Sequence, residues 1–164
     1  MSVVKTNKEF VKTLASLSLA EQRYLGAQFI FSVLDIIDEP RLKNIMNSIN
    51  KKGNSAEELH SAYKLAHSFY IETHPHSGFE ELDFKRQAIH MVAEACVNCL
   101  APIYQEVTTL HLAQKTAMYC RMAITCWNIP HDQEFPSFSQ AEIEVKNITQ
   151  IQYTLVNDYI ESRH

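Results

Sequence analysis

The chain has few of the residues that interrupt regular structure, with only 3 glycines and 5 prolines among its 164 residues. This scarcity favours few turns and long regular elements. Three isolated glycines cannot build a glycine-rich phosphate loop, and no nucleophile elbow is present. The sequence therefore gives no positive support for an enzyme that uses a phosphate loop or a nucleophile elbow.

Basic clusters and long apolar runs are scarce as well. The net charge is −4 and the one basic cluster is Lys51-Lys52, a balance that argues against nucleic-acid binding. No run approaches the roughly 18 apolar residues that a membrane span needs. The first residues also lack the apolar stretch of a signal peptide. We expect a cytoplasmic protein with no nucleic-acid or membrane partner.

Helix starts are what the chain has in abundance. A serine is followed three residues later by a glutamate at three places, which is the pattern of a capping box: Ser18 with Glu21, Ser55 with Glu58, and Ser139 with Glu142. Thr109 is a weaker start of the same kind, and Asn7 is expected to cap the first helix. No stretch has the pattern of a β-strand.

Apolar spacing then sets the expected architecture. We predict helices over about residues 8–15, 19–37, 40–50, 56–73, 80–101, 110–127 and 140–161. Pro102 is expected to kink or end the fifth of them. The prediction is an all-α fold: a compact bundle of six to seven helices with no β-sheet, formed by residues 1–164 as a single domain, with loops near 74–79 and 128–138.

Cys96 and Cys99 form the one motif with chemical potential. A Cys-x2-Cys pair can be redox-active or can supply half of a zinc site. Projected on a helix, both sulfurs fall on the apolar arc, where a free cysteine acts as a small hydrophobe. That arc also holds Ile89, Val92, Leu100 and Ile103. We therefore favour core packing and predict no catalytic residue.

An alternative comes from a family resemblance. Residues 83–100 resemble the helix of alkylhydroperoxidase D and carboxymuconolactone decarboxylase, in which a histidine lies one turn after the second cysteine. That position is Ile103 here, and the position of the family's glutamate is Phe84. The resemblance implies a thiol oxidoreductase that uses Cys96 and Cys99, but both proton-handling groups are missing.

Metal ligands are poorly arranged in the sequence. Cys120 and Cys126 are six residues apart, which turns their side chains about 240° from each other on a helix. His90 and Glu94 are expected on the polar face of the fifth helix, away from Cys96 and Cys99. We expect no metal and no cofactor.

The chain contains 8 histidines, and several lie close together in the sequence. His60 and His67 share one edge of the fourth helix with Tyr63 and Tyr70. His74 and His76 flank a proline in the loop that follows. Histidines can titrate between pH 5 and 8. A histidine at the boundary between the apolar and polar faces of a helix usually packs its ring and hydrogen-bonds a neighbour or water, and we favour packing.

Acidic residues concentrate near the predicted helix starts in the first half of the chain. Acids at helix starts are favoured by the helix dipole, which is sufficient to explain them. The functional alternative is that they form an acidic rim that steers a basic partner. The predicted partner-binding residues are Asp38, Glu39, Glu57, Glu58, Glu80, Glu81 and Asp83.

Several stretches resemble the immunity protein 5-like class, all-helical proteins of bacterial toxin systems. They are Leu25-Gly26-Ala27, Ser32-Val33-Leu34, Asp38-Glu39-Pro40-Arg41-Leu42, Ala62-x3-Ala66-His67, Arg86-Gln87-Ala88-Ile89-His90 and Met118-Tyr119. The class carries a tryptophan in the short helix after the proline, where this chain has Met46 or Ile49. The resemblance implies a non-catalytic protein that binds and blocks a cognate protein toxin, and the acidic helix starts lead us to expect a basic one.

Three hypotheses follow from the sequence. The first is a non-catalytic protein-binding domain, most specifically a bacterial immunity protein. The second is the thiol oxidoreductase, and the third is a small-ligand pocket lined by Met91, Met118, Met122 and Trp127. A homodimer remains an additional alternative. Its interface would use surface aromatics among Tyr24, Phe31, Phe135, Phe138 and Tyr153.

Overall fold

A computed structural model describes residues 3–49, 53–74, 83–130 and 137–163. These residues form eight helices and no strand, which confirms the all-α prediction. The helices are α1 (Asn7–Ala15), α2 (Leu19–Leu34), α3 (Pro40–Ser48), α4 (Ala56–Glu72), α5 (Phe84–Leu100), α6 (Glu106–Thr109), α7 (Leu112–Trp127) and α8 (Ser139–Ser162). The count exceeds the predicted six to seven because of the single turn α6.

Two of the three predicted capping boxes are present. The backbone N–H of Glu21 donates to Ser18 Oγ at 3.2 Å, and the N–H of Ser18 donates to Glu21 Oε1 at 3.0 Å. Ser55 and Glu58 make the same reciprocal pair at 3.0 and 3.2 Å. Each box satisfies two backbone donors that the first turn leaves without a helical partner.

The third predicted box is wrong, and so is the cap of the first helix. The N-cap of α8 is Phe138 without a side-chain cap, and Ser139 Oγ instead lies 2.8 Å from Ser137 Oγ. At α1 the cap is Thr6, whose Oγ1 accepts from the N–H of Glu9 at 3.2 Å. A neighbouring hydroxyl that can form the same type of bond displaces the expected cap.

The predicted start at Thr109 is wrong as well. Thr109 is the last residue of α6, and its hydroxyl donates to the carbonyl of Gln105 at 3.2 Å. His111, with φ of 55°, is the one non-glycine residue with positive φ in the described part of the chain. This left-handed residue separates α6 from α7, so α7 begins at Leu112, two residues after the predicted start at 110.

Helix α5 occupies the centre of the bundle. It packs against α4 on one side and against α7 and α2 on the others, while α7 also packs on α2 and α8. Ten of its residues are buried, among them His90, which is 4% exposed. The predicted polar face at His90 is therefore wrong, because α4 covers that face.

A tight crossing of α2 over α5 is possible because residue 26 is glycine. A Cβ at Gly26 would lie 3.1 Å from Cys99 Sγ and 3.5 Å from the Thr116 side chain. Such a contact is shorter than carbon and sulfur atoms normally make, so a side chain here would push α2 away from α5 and α7.

Arg23 of α2 holds the end of α5. Its Nη1 donates to the carbonyl of Cys99 at 2.8 Å, and its Nη2 donates to the carbonyl of Ala101. These carbonyls have no partner within the helix, and α5 has no basic residue in its own last turn. A cation from a neighbouring helix thus caps α5 and favours its negative dipole end.

Candidate functional site

The cysteine pair lies in the core, where the helical projection places it. Cys96 and Cys99 are 0% and 1% exposed, and Cys120 of α7 is fully buried beside them. Burial raises the pKa of Cys96 well above its usual value and that of Cys99 to about 12. A thiol is reactive as its thiolate, so burial of this kind suppresses nucleophilic chemistry.

The groups around the pair do not reverse this effect. Arg23 lowers the pKa of Cys99, but burial is the larger influence, and the guanidinium is engaged by carbonyls. The Cys99 thiol donates to the carbonyl of Arg23 at 3.5 Å. Ile103, at the position of the oxidoreductase histidine, is 73% exposed beyond the end of α5. The arrangement is that of packed side chains, not of an activated thiol.

Within residues 3–49, 53–74, 83–130 and 137–163, no group of three or more potential ligands is placed to hold a metal ion. Cys126 is half-buried, whereas Cys96, Cys99 and Cys120 are buried. The cysteines and histidines of the described residues therefore do not build a metal centre.

Histidine and tyrosine rings form a row along α4. The ring centroids are 6.5 Å apart for His60 and Tyr63, 5.8 Å for Tyr63 and His67, and 6.2 Å for His67 and Tyr70. Helical spacing of three and four residues brings such rings together on one edge. His60 and His67 are exposed, while the tyrosines are half-buried.

The row ends at a buried histidine of α5. The ring of His90 stacks on Tyr70 with centroids 4.4 Å apart and meets His74 edge-on at 5.2 Å. Its Nδ1 lies 3.1 Å from Thr73 Oγ1. Burial lowers the pKa of His90, and the neighbouring His74 and Arg86 act in the same direction. The hydrogen-bonded ring joins α4 to α5.

Glu94 continues the polar contacts toward α7. Burial of the Tyr119 phenol and the nearby Glu94 carboxylate together raise the pKa of Tyr119. Burial and the same carboxylate raise the pKa of Tyr70. These groups form a polar seam between α4, α5 and α7, which agrees with the interpretation that the histidines pack.

The predicted partner-binding acids are divided between the two ends of α4. Glu57 and Glu58 lie in its first turn, and α3 begins beside its last turn, where Arg41 pairs with Glu72 at 2.9 Å. The helix has 17 residues, a length of about 25 Å. Asp38 and Glu39 therefore do not share a surface with Glu57 and Glu58.

Several of these acids cap helices. Asp83 accepts from the N–H of Arg86 at 3.1 Å, Glu58 belongs to the capping box of α4, and Glu39 accepts from the N–H of Arg41 at 3.4 Å. Glu80 and Glu81 lie outside the described residues. The dipole interpretation accounts for the three capping acids, and the role of the set in partner binding stays a prediction.

An exposed apolar surface, which the sequence does not single out, follows α5. Ile103, Tyr104, Val107 and Leu110 are 73%, 74%, 83% and 59% exposed. We call residues 103–110 the 103–110 segment. Ile103 was expected on the buried arc of the fifth helix, but α5 ends at Leu100, ahead of Pro102. The clue in the sequence is this proline in front of four large apolar residues.

The 103–110 segment is tied to the helices around it. Gln105 Nε2 donates to the phenol oxygen of Tyr63 at 3.4 Å. Lys115 Nζ donates to the carbonyls of Val107 at 2.8 Å and Thr108 at 3.4 Å. The turn α6 adds backbone hydrogen bonds of its own. The segment that displays the four apolar side chains is therefore joined to α4 by a side-chain contact and to α7 through two backbone carbonyls.

The residues proposed to line a small-ligand pocket are not brought together. Met91 is buried, Met118 and Met122 are 47% and 42% exposed, and Lys85 Nζ lies 3.9 Å from the centroid of the Trp127 ring. Met118 alone of this set lines an open cleft, between α1 and α7. A methionine-lined pocket of the predicted composition is absent from the described residues.

The aromatic residues considered for a dimer differ in exposure. Tyr153 is buried against Phe10 with ring centroids 5.2 Å apart, and Phe31 is half-buried. Tyr24 and Phe138 are exposed, and Phe135 lies outside the described residues. Two of the five side chains are thus available on the described surface.

Among the described helices, none has the length and apolar character needed to cross a bilayer. Comparisons with models of protein families, with curated proteins and with solved structures returned no match to this chain.

Proposed function

We propose that the protein is a non-catalytic protein-binding domain that binds its partner through the 103–110 segment. The supporting observation is four large apolar side chains, exposed by 59–83%, within eight consecutive residues. Single exposed apolar residues are ordinary on a protein surface, but a contiguous group of them is typical of interaction sites.

The contacts of the 103–110 segment with α4 and α7 favour such a role. Its hydrogen bonds to Tyr63 and Lys115 hold the segment before any partner arrives. A surface that is already ordered loses less conformational entropy on binding, so more of the contact energy appears as affinity. Apolar and aromatic side chains at the centre of an interface are the usual source of that energy.

Three acids and one cation lie around the 103–110 segment, and the cation, Lys115, is engaged by the carbonyls of Val107 and Thr108. The segment contacts α4 at Tyr63, two turns from the start of α4 where Glu57 and Glu58 lie, and Glu106 belongs to the segment itself. Acids beside an apolar centre would speed the approach of a partner with basic residues around its own apolar patch. Glu57 and Glu58 are the predicted acids that fit this arrangement.

The most specific form of the proposal is a bacterial immunity protein that neutralises a cognate toxin. It rests on the resemblance to the immunity protein 5-like class, together with a surface suited to a basic protein. An adjacent toxin-like reading frame in the genome would support this form, and a recovered partner that lacks toxic activity would contradict it.

A capture experiment with matched variants tests the proposal. Tagged protein is incubated with lysate of the source organism, and bound proteins are identified by mass spectrometry. Ile103→Ser combined with Val107→Ser should abolish capture, since both side chains leave the apolar centre. Ile143→Ser is the control, because Ile143 is 54% exposed on the first turns of α8, at the opposite end of α7.

Each result of the capture decides the question. A protein recovered by the wild type and by Ile143→Ser, but not by the double variant, supports the proposal. Equal recovery by all three, or no specific protein with any of them, contradicts it. Unfolding in urea should differ by less than about 0.5 kcal/mol between the variants, which shows that the fold is intact.

A further inference from the structure

The cleft between α1 and α7 has the composition of a small-ligand site. Its volume is about 250 Å³, and its described lining is part apolar and part polar. Phe10, Val11 and Met118 form apolar walls, while Asn7, Lys115 and Arg121 supply polar groups. Ligand sites typically combine apolar walls with a few polar groups that fix orientation.

Arg121 has a donor that no described residue satisfies. Its Nε donates to Gln152 Oε1 at 2.7 Å and its Nη1 to Asn7 Oδ1 at 3.2 Å, while the guanidinium carbon lies 5.2 Å from the centroid of the Phe10 ring. Its Nη2 is buried and has no hydrogen-bond partner among the described residues. This nitrogen is itself closed off from solvent, so a ligand in the cleft would meet Arg121 through the charge of its guanidinium, which lines the cleft.

The charge of Arg121 is uncompensated as well. Of the described side chains that contact it, none is a carboxylate, and burial lowers the pKa of its guanidinium. Arg41, in contrast, pairs with Glu72 on the surface. A half-buried cation without an anion is unfavourable, and binding of an anion relieves that cost.

Lys115 places a second cation at the same cleft. Its ammonium has three donors, two of which are used by the carbonyls of Val107 and Thr108. Among the described residues that line the cleft, both charged ones are cations and neither is an acid. In a chain of net charge −4, this is a local reversal of sign.

We infer that this cleft binds a small organic acid, with its carboxylate toward Arg121 and Lys115 and its apolar part against Val11 and Met118. Its volume is below the roughly 300–1,000 Å³ of sites for drug-sized ligands, so the ligand is of the size of benzoate or a short-chain fatty acid. The inference does not depend on the proposed protein-binding role.

Titration of labelled protein with hexanoate, followed by NMR, tests the inference. Saturable shifts are expected at Asn7, Val11 and Met118, with affinity at least about tenfold higher than for hexan-1-ol or inorganic phosphate. Hexan-1-ol lacks the charge, and phosphate lacks the apolar chain. Equal binding of either probe, or no saturation with hexanoate or benzoate, overturns the inference.

Two tryptophan variants locate the site without removing Arg121 from the packing. Met118→Trp fills the cleft and should weaken hexanoate binding about tenfold or more. Met122→Trp, one turn further along α7 at a side chain of similar exposure, should leave the affinity within about twofold. Equal loss in both variants, or no loss in Met118→Trp, places binding elsewhere and contradicts the assignment.

Discussion

Helix α5 and the 103–110 segment are adjacent in the chain and opposite in character. The helix carries the most reactive motif in the sequence, and it packs this motif against α2 and α7. The segment that follows has no reactive group, yet it exposes four large apolar side chains. Thiol chemistry needs an accessible thiolate, whereas protein binding needs accessible apolar area. In this molecule the apolar side chains are accessible and the two thiols are not.

A few residues at the end of α5 produce the change. Pro102 cannot continue the helix, and Arg23 of α2 takes up its last free carbonyls. Ala101 and Leu112 are buried, and no residue between them is. Apolar side chains lie on both sides of Pro102, but those before it are buried and those after it are exposed.

The largest expected difference between buried and accessible positions is in the rate at which the cysteines react with a thiol reagent. Cys126, which is half-buried, should react with Ellman's reagent at pH 8, whereas Cys96, Cys99 and Cys120 react only when the fold opens. Their rates should be lower by about a thousandfold or more, as for groups protected by stable structure. Rapid reaction of two or more thiols in the native protein would contradict the burial of the pair.

Two leucines in consecutive parts of the chain allow a matched comparison of stability. Leu100 is 1% exposed at the end of α5, and Leu110 is 59% exposed. Leu100→Ala should cost roughly 2–5 kcal/mol of unfolding free energy because it leaves a cavity. Leu110→Ala should change it by less than about 0.5 kcal/mol. Urea unfolding measures both, and similar costs would mean that the segment is part of the core.

The crossing of α2 over α5 gives a smaller effect. Gly26→Val should destabilise the protein by about 1–3 kcal/mol, because the added carbons meet Cys99 Sγ. Cys99→Ala should relieve part of this cost, so that the double variant is more stable than the sum of the single changes predicts. Strict additivity in a double-mutant cycle would show that the contact does not limit the packing.

Acidification should weaken the contact between α4 and α5 to a smaller extent. The pKa of His90 in the folded protein is below its ordinary value of 6.5, so between these values the unfolded chain binds more protons. The stability that His90 contributes is thus complete above about pH 6.5 and falls as the pH drops toward the folded pKa. His74, Arg86, Tyr70 and Glu94 face or influence this ring cluster.

Urea unfolding at pH 7.5 and 5.5 measures this effect. His90→Gln should reduce the difference in stability between the two values of pH. His60→Gln is the control, because His60 is exposed at the far end of the ring row, and it should behave as the wild type. An unchanged difference in His90→Gln would show that other groups cause the pH dependence.

Local sequence patterns account for much of the fold. Ser18 and Ser55 cap their helices because the serine and the glutamate are both within reach of the same first turn. The pattern is not unique at Ser139, where the hydroxyl of Ser137 provides another partner. Local signals decide helix ends where they have no competitor.

Burial is harder to read from the sequence because it depends on neighbouring elements. The apolar spacing of α5 continues to Ile103, but nothing packs over that residue once the helix has ended. The polar spacing around His90 predicts an exposed face, but α4 covers it. The candidate binding surface was therefore missed, and the cysteine pair, which lies fully within one regular helix, was placed correctly.

Photo-crosslinking at Val107 tests the central claim most directly. A benzoylphenylalanine at this position, irradiated in cells of the source organism, should form an adduct with one protein, because Val107 is 83% exposed at the centre of the 103–110 segment. The same group at Ile143 should form no such adduct. An adduct of equal yield at both positions, or none at Val107, would contradict the claim that this segment is the binding surface.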